Sequence, residues 1–212
     1  MLKGFAGAVS GAVLILVPAL HAQDNSWVIS PQDSAANFSV KHMLITTEHG
    51  SMGGMKGTVI YDPKDPSNDV VNATLDVGTI NTNNSTRDEK LKADYFDVQK
   101  FPMIAFKSTK VVRAGKGKLT VTGNLTIKGT TRQVVLAVVG PSPVVKDAQG
   151  RSKIGLSAIT KISRKDYGIV GSALDGAVET GGIIVSDEVS LELDIELLPP
   201  SQAGIVGPAK PK

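Results

Sequence analysis

Residues 188–197 alternate without a break. Odd positions carry Val189, Leu191, Leu193, Ile195 and Leu197; even positions carry Glu188, Ser190, Glu192, Asp194 and Glu196. A period of two puts these sets on opposite faces of a strand, one apolar and one wet. The pattern recurs over 118–128, where Leu119, Val121, Gly123, Leu125 and Ile127 share a face, and over 71–79, where Val71, Ala73, Leu75, Val77 and Thr79 do. Weaker alternation predicts strands near 27–30, 36–43, 57–62, 103–112, 132–139 and 153–164. Turn residues separate them, among them Asp62-Pro63, Lys128-Gly129, Gly140-Pro141 and Gln149-Gly150. One helix is expected between strands. Thr86-Arg87-Asp88-Glu89 has capping-box form with Thr86 as N-cap. The helix runs to about Val98, presents Leu91, Tyr95 and Phe96 to a sheet, and is barred from continuing by Pro102.

Eight or nine strands with one apolar face each must close around something. A barrel and a sandwich both satisfy that demand, and an eight-stranded up-and-down barrel leaves room for one small ligand. The chain has 212 residues, few aromatics (4%) and no Cys. It is long enough to bury a core without covalent staples. The missing Cys excludes a disulfide framework, a thiol nucleophile and Cys-ligated metal.

The two ends differ from the body. Lys3, an apolar run from Ala12 to Val17, Pro18 and small Ala22 read as a signal peptide over 1–22, cleaved after Ala22. Export without Cys fits a bacterial periplasm. After Leu198 the chain turns to Pro, Gly and Lys, and 201–212 reads as a disordered tail. Residues 23–200 then form one domain. Setting aside Lys3, Lys210 and Lys212 leaves 20 of the 23 basic residues against 20 acidic ones, so the body is neutral. That argues against a nucleic-acid partner.

Two polar side chains break the apolar faces. In 36–42 the even positions are Ala36, Phe38, Val40 and His42; in 154–164 they are Ile154, Leu156, Ala158, Thr160, Ile162 and Arg164. His42 and Arg164 therefore end inward faces. A buried cation needs a partner, and Asp166, Asp88 or a ligand anion would serve for Arg164. Two polar donors at the ends of apolar walls suit an amphiphile's head group. The alternative is structural: a satisfied histidine and a salt-bridged arginine. His42 and His49 stand on opposite faces if the strand continues, and no metal-ligand spacing joins them. No nucleophile elbow or phosphate-binding loop occurs. The Gly-rich stretch 50–57 reads as a flexible or bulged strand, with Met52 and Met55 as adaptable lumen or mouth residues.

Four stretches together resemble the YceI-like family of polyisoprenoid-binding proteins. The first is Phe38-Ser-Val-Lys-His42 with Gly50 and Gly57-Thr-Val-Ile-Tyr-Asp62. The second runs from Asn81 through Thr86-Arg87-Asp88, Leu91, Asp94-Tyr-Phe96-Asp97 and Phe101-Pro102 to Phe106-Lys-Ser108. The third is Thr122-Gly123-Asn-Leu125-Thr126 to Gly129, and the fourth is Ile162-Ser-Arg164-Lys-Asp166-Tyr-Gly168. They cover 26–198, and the second is the most specific. The chain departs from the family at Met52 and Met55, where aromatics are frequent, and at Ser30 and Asp33.

The resemblance implies an all-β fold: an eight-stranded antiparallel lipocalin-like barrel with one short helix between strands. It implies a periplasmic, non-enzymatic protein that holds an isoprenoid or similar long-chain lipid. By position, His42, Arg87, Asp88 and Arg164 match the family's motif residues. The expected cavity residues are Phe38, Val40, His42, Met52, Met55, Phe96, Phe106, Leu156, Ala158 and Arg164, with no cofactor or metal. Transient membrane contact and a homodimer are compatible with this reading. Two other function classes stay open: an enzyme acting on a bound lipid with His42 as acid or base, and an interaction module with a filled core.

Overall fold

The alternating segments become antiparallel strands in the computed structural model, which describes residues 25–43, 45–171 and 185–203. The expected leader and all of the tail beyond Ala203 lie outside these residues. In chain order the strands are β1 (Ser26–Ile29), β2 (Ala35–His42), β3 (Thr46–Met52), β4 (Lys56–Ile60), β5 (Val70–Asp76) and β6 (Met103–Gly115), followed by β7 (Lys118–Ile127), β8 (Thr130–Val139), β9 (Val145–Lys146), β10 (Ser152–Ser163) and β11 (Val185–Leu198). Strands β1, β4, β5, β6, β7, β8, β10 and β11 follow one another around a ring, which the β10–β11 ladder closes. The result is a closed eight-stranded antiparallel barrel. Closure removes sheet edges and gives every strand one dry and one wet face.

The long β11 organises the wall. One edge pairs with β10 from Ile154↔Leu197 to Ser163↔Glu188. Its other edge pairs first with β2, from Val189↔Val40 to Asp194↔Ala35, and then with β1 at Val28↔Leu198. So β1 and β2 act as one strand interrupted at 30–34. The interruption is stitched by Ser30 N–H donating to the Glu196 carbonyl at 2.8 Å and by Glu196 N–H donating to Ser34 Oγ at 3.0 Å. A bulge in β6 at Ser108 is handled similarly, its hydroxyl accepting from Val71 N–H at 2.8 Å.

The sequence reading missed β3. The pattern predicts a strand over 36–43 and a flexible or bulged segment over 50–57, with His42 and His49 on opposite faces if the strand continues. The chain folds back after His42, and β2 and β3 pair from His42↔Thr46 to Ala36↔Met52; His49 falls opposite Ser39, on the face away from His42. Polar Thr46, Thr47, Glu48 and His49 hide this strand from an alternation test; it exists because β2 offers it a ladder. Among the described residues, β3 has no ladder on its far side, only a bridge between Ser51 and Asn81. The next strand, β5, pairs with β4 instead.

The expected helix forms, with shifted ends. An α-helix, α1 (Ser85–Lys90), widens into a π-turn over Leu91–Tyr95. Its N-cap is Asn84, whose Oδ1 accepts Arg87 N–H at 3.0 Å, and Thr86 lies inside the first turn. The reason is Asp88. Its carboxylate takes Thr82 N–H at 2.9 Å and Thr82 Oγ1–H at 2.6 Å, which draws the incoming chain around and puts Asn84 at the cap. The helix stops at Tyr95, short of the expected Val98; just beyond it Asp97 takes a left-handed backbone with φ of 51°. Strand β5 likewise ends at Asp76, whose Oδ1 accepts Gly78 N–H in a turn over Val77–Thr79.

Packing divides the two ends. At the β11 C-terminal end, Ile29, Met55, Val59, Ile154 and Leu197 are buried together. At the other end the helix lays Leu91, Tyr95 and Phe96 against Leu125, Ile127, Val134, Tyr167 and Ile169. Between them, Val111, Val121, Leu136, Val138 and Ala158 line the waist.

Candidate ligand-binding cavity

Inward side chains leave a cavity of about 610 Å³ inside the barrel. That falls within the range of about 300–1,000 Å³ typical of small-molecule sites. The filled-core alternative is thereby overturned. The wall is almost wholly apolar because each strand's dry face points at it: Leu119, Val121 and Leu125 from β7, and Leu191, Leu193 and Ile195 from β11. All ten residues singled out from sequence sit on this wall: Phe38, Val40, His42, Met52, Met55, Phe96, Phe106, Leu156, Ala158 and Arg164.

Two phenylalanines owe their placement to glycine. Gly50 stands directly opposite Phe38, and a Cβ there would lie 2.3 Å from Phe38 Cζ. A Cβ on Gly123 would lie 2.4 Å from Phe106 Cζ. The rings fold flat over bare backbone and leave the lumen open.

The rim is polar and lies where β3 faces the helix. Exposed His49, Asn84, Thr86 and Lys90 border the cavity here, with half-buried His42. Across this unladdered seam Arg87 Nη1 donates to Glu48 Oε2 at 2.7 Å. Arg87 is held from behind by Nε donating to Thr82 Oγ1 at 2.7 Å and Nη2 donating to the Thr82 carbonyl at 2.8 Å. The Asp88–Thr82 contacts thus position the arginine. With side-chain exposures of 37% and 40%, the Arg87–Glu48 pair is a weak clasp, while other seams carry backbone hydrogen bonds.

Arg164 reaches the wall but spends its guanidinium on protein. It is 4% exposed and donates to the carbonyls of Ser186, Ile169 and Val185 at 3.1, 2.8 and 3.0 Å. Among the described residues its carboxylate partner is Asp187 at 3.2 Å, in place of the expected Asp166 or Asp88. Asp88 is committed to Thr82, and Arg164 instead ties the start of β11 to the loop after β10.

Asp69 lies at the closed end, lines the cavity and is 9% exposed. Burial pushes its carboxyl up to about 6; the backbone N–H of Asp62, donating at 2.6 Å, works against the rise. Sequence reading missed Asp69, Glu48 and Lys90 as cavity residues. Glu48 is legible only once β3 is registered against β2, which puts it opposite Val40 on the lumen face. Asp69 stands just before the Val70–Asp76 strand in a run of turn-forming acids, and nothing in the sequence separates it from Asp62 and Asp65.

The profile of the YceI-like domain matches residues 27–197. Protein YceI of Salmonella newport is 34% identical over 160 residues, covering 74% of this chain and 81% of that protein. BcnA of Burkholderia cenocepacia superposes with a TM-score of 0.66 at 23% identity, over 79% of this chain and 98% of BcnA. A polyisoprenoid binding domain from Saccharophagus degradans, implicated in plant cell wall breakdown, gives a TM-score of 0.60 at 14% identity, over 82% and 98% of the two chains. These two likenesses speak for the barrel. With the sequence match spanning nearly the whole barrel, the chain belongs to the YceI-like family.

Proposed function

We propose that this protein is an exported, non-catalytic carrier that holds a long-chain isoprenoid or similar amphiphilic lipid in the barrel, in the periplasm. The observation that carries this reading is the lumen itself: about 610 Å³ with an almost wholly apolar wall, polar groups at its rim and Asp69 at its closed end. An apolar chain gains about 0.8 kcal/mol for each CH₂ it withdraws from water into such a wall. A head group left at the rim keeps its solvation and meets His42, His49 and Lys90. The polyisoprenoid-binding relative supports the same ligand class, and the leader pattern over 1–22 supports export.

The test is to purify the protein from an exporting bacterial host without detergent, extract it with organic solvent and analyse the extract by mass spectrometry. A stoichiometric long-chain lipid is expected. Ala158→Phe puts a ring where Ala158 is 2% exposed at the waist. It should abolish lipid retention at a stability cost of about 1–3 kcal/mol. A folded parent that yields no lipid and takes up no apolar fluorescent probe would sink the proposal.

A further inference from the structure

We infer that the tip of the β2–β3 hairpin docks on an anionic lipid bilayer and sets the cavity's rim on the membrane surface. This rests on the carrier reading, and it names the partner from which the lipid passes.

Met43 and Ile45, between β2 and β3, hold their side chains out. Ile45 N–H donates to the His42 carbonyl at 3.1 Å, and Met43 takes a left-handed backbone with φ of 49°. That conformation disfavours an unbranched apolar residue with no local hydrogen bond to offer. Ile45 is 82% exposed, the most exposed large apolar residue among those described, and Met43 is 59% exposed. Single exposed apolar side chains need no explanation; Val135, Val139 and Ile159 lie together around Ala137 on the outer face of β8 and β10, away from the cavity's rim. The tip differs by position. Its base, His42, borders the cavity, as do Glu48 and His49 on the strand that follows. A third exposed apolar residue, Val170, belongs to the same end. Its neighbour Ile169 accepts from Arg164, which also holds Val185, and Val185 pairs with His42.

Charge selects the occupant. Lys41 flanks the tip and keeps its ammonium exposed beside Thr47, and Lys90 is exposed at the rim. Three carboxylates at this end are engaged: Glu48 by Arg87, Asp88 by Thr82, and Asp187 by Arg164 and Lys165. Apolar side chains with lysines beside them suit insertion at the head-group boundary of an anionic membrane. Three apolar side chains offer too little surface for a second copy, since a stable dimer needs about 800 Å² per partner. The seam between β3 and the helix then opens beside the bilayer, and an apolar chain reaches the lumen without crossing bulk water.

The absence of Cys allows a clean test. Ile45→Cys and, at the opposite end, Val145→Cys are each labelled with an environment-sensitive fluorophore in the protein purified from an exporting host. Vesicles of phosphatidylglycerol with phosphatidylethanolamine should blue-shift the label at 45 and leave the label at 145 unchanged, with a smaller effect from phosphatidylcholine vesicles. Flotation of a Met43→Ser, Ile45→Ser double variant with the anionic vesicles should fall about tenfold, while its extracted lipid stays at the parent level. An unshifted label at 45, or equal shifts at both positions, overturns the inference. A shift that grows with protein concentration in the absence of vesicles also overturns it, in favour of a second copy. Lipid in the extract with no shift at 45 rejects the docking tip and leaves the carrier reading standing. A shift at 45 with no lipid in the extract supports the tip and rejects the carrier.

Discussion

The two ends of the barrel are closed by different means. At the β11 C-terminal end every seam carries a backbone ladder, and Ile29, Ile154 and Leu197 are buried at 4%, 2% and 1% exposure. Outside it, Lys153 Nζ sits 2.6 Å from Glu196, 3.7 Å from Asp33 and 3.9 Å from Asp147. The Glu196 hydrogen bond pushes the lysine's pKa up. At the other end the seam beside β3 has no ladder among the described residues: it is held by the Ser51–Asn81 bridge, by Gly53 N–H donating to Thr79 Oγ1 at 2.9 Å, and by the half-exposed ion pair Glu48–Arg87. Backbone ladders and packed side chains open together with the fold. An exposed ion pair is worth about 0–1 kcal/mol and breaks on its own. The contrast shows how one barrel keeps a rigid floor and a yielding mouth.

The largest expected effect lies at the floor. Leu197→Ala should cost about 2–5 kcal/mol in urea unfolding, because a side chain 1% exposed leaves a cavity that its neighbours cannot fill. A loss below about 1 kcal/mol would show that this end does not anchor the barrel. Next comes Gly50→Ala on β3. The added Cβ drives the Phe38 ring off the wall and into the lumen. Stability should fall by about 1–3 kcal/mol, and uptake of an apolar probe should drop with it. Unchanged uptake would mean that the ring has another place to go.

Asp69 gives the floor a pH dependence. An unfolded aspartate titrates near about 3.9, and the folded one near about 6. The folded state binds the proton more tightly. Its contribution is fully present below about pH 4 and is lost as pH rises through about 6. Asp69→Asn should therefore match the parent at pH 4 and exceed it by about 1 kcal/mol at pH 7.5, solvent screening limiting the gain. Equal stability of the two proteins at pH 7.5 would refute the buried, raised carboxyl.

The smallest stability change belongs to the mouth. Glu48→Gln should alter unfolding by less than about 1 kcal/mol yet speed probe uptake. Added salt should accelerate uptake by the parent and leave the variant unaffected, since screening weakens the parent's exposed pair. Identical salt responses would separate the clasp from the path of uptake.

Much of this molecule is legible in its sequence. Alternation over 71–79, 118–128 and 188–197 names the dry faces that line the lumen, because a strand's side chains must alternate. The order of motifs from Phe38 to Gly168 carries the family. Phe38, His42 and Ala158 fall on the cavity wall for the same reason. Less legible were β3, whose polar residues carry no period, and the N-cap, where Asn84 displaced Thr86 because Asp88 had a tertiary use.

Local sequence determined which residues face inward, that a short helix interrupts the strands, and that the interior is apolar. Only the tertiary structure decided that the sheet closes between β10 and β11, that Glu48 meets Arg87 across the open seam, and that Asp187 rather than Asp166 holds Arg164. Side-chain facing follows from backbone geometry within one strand. Seams and ion pairs depend on the register between strands far apart in the chain, which no local pattern encodes.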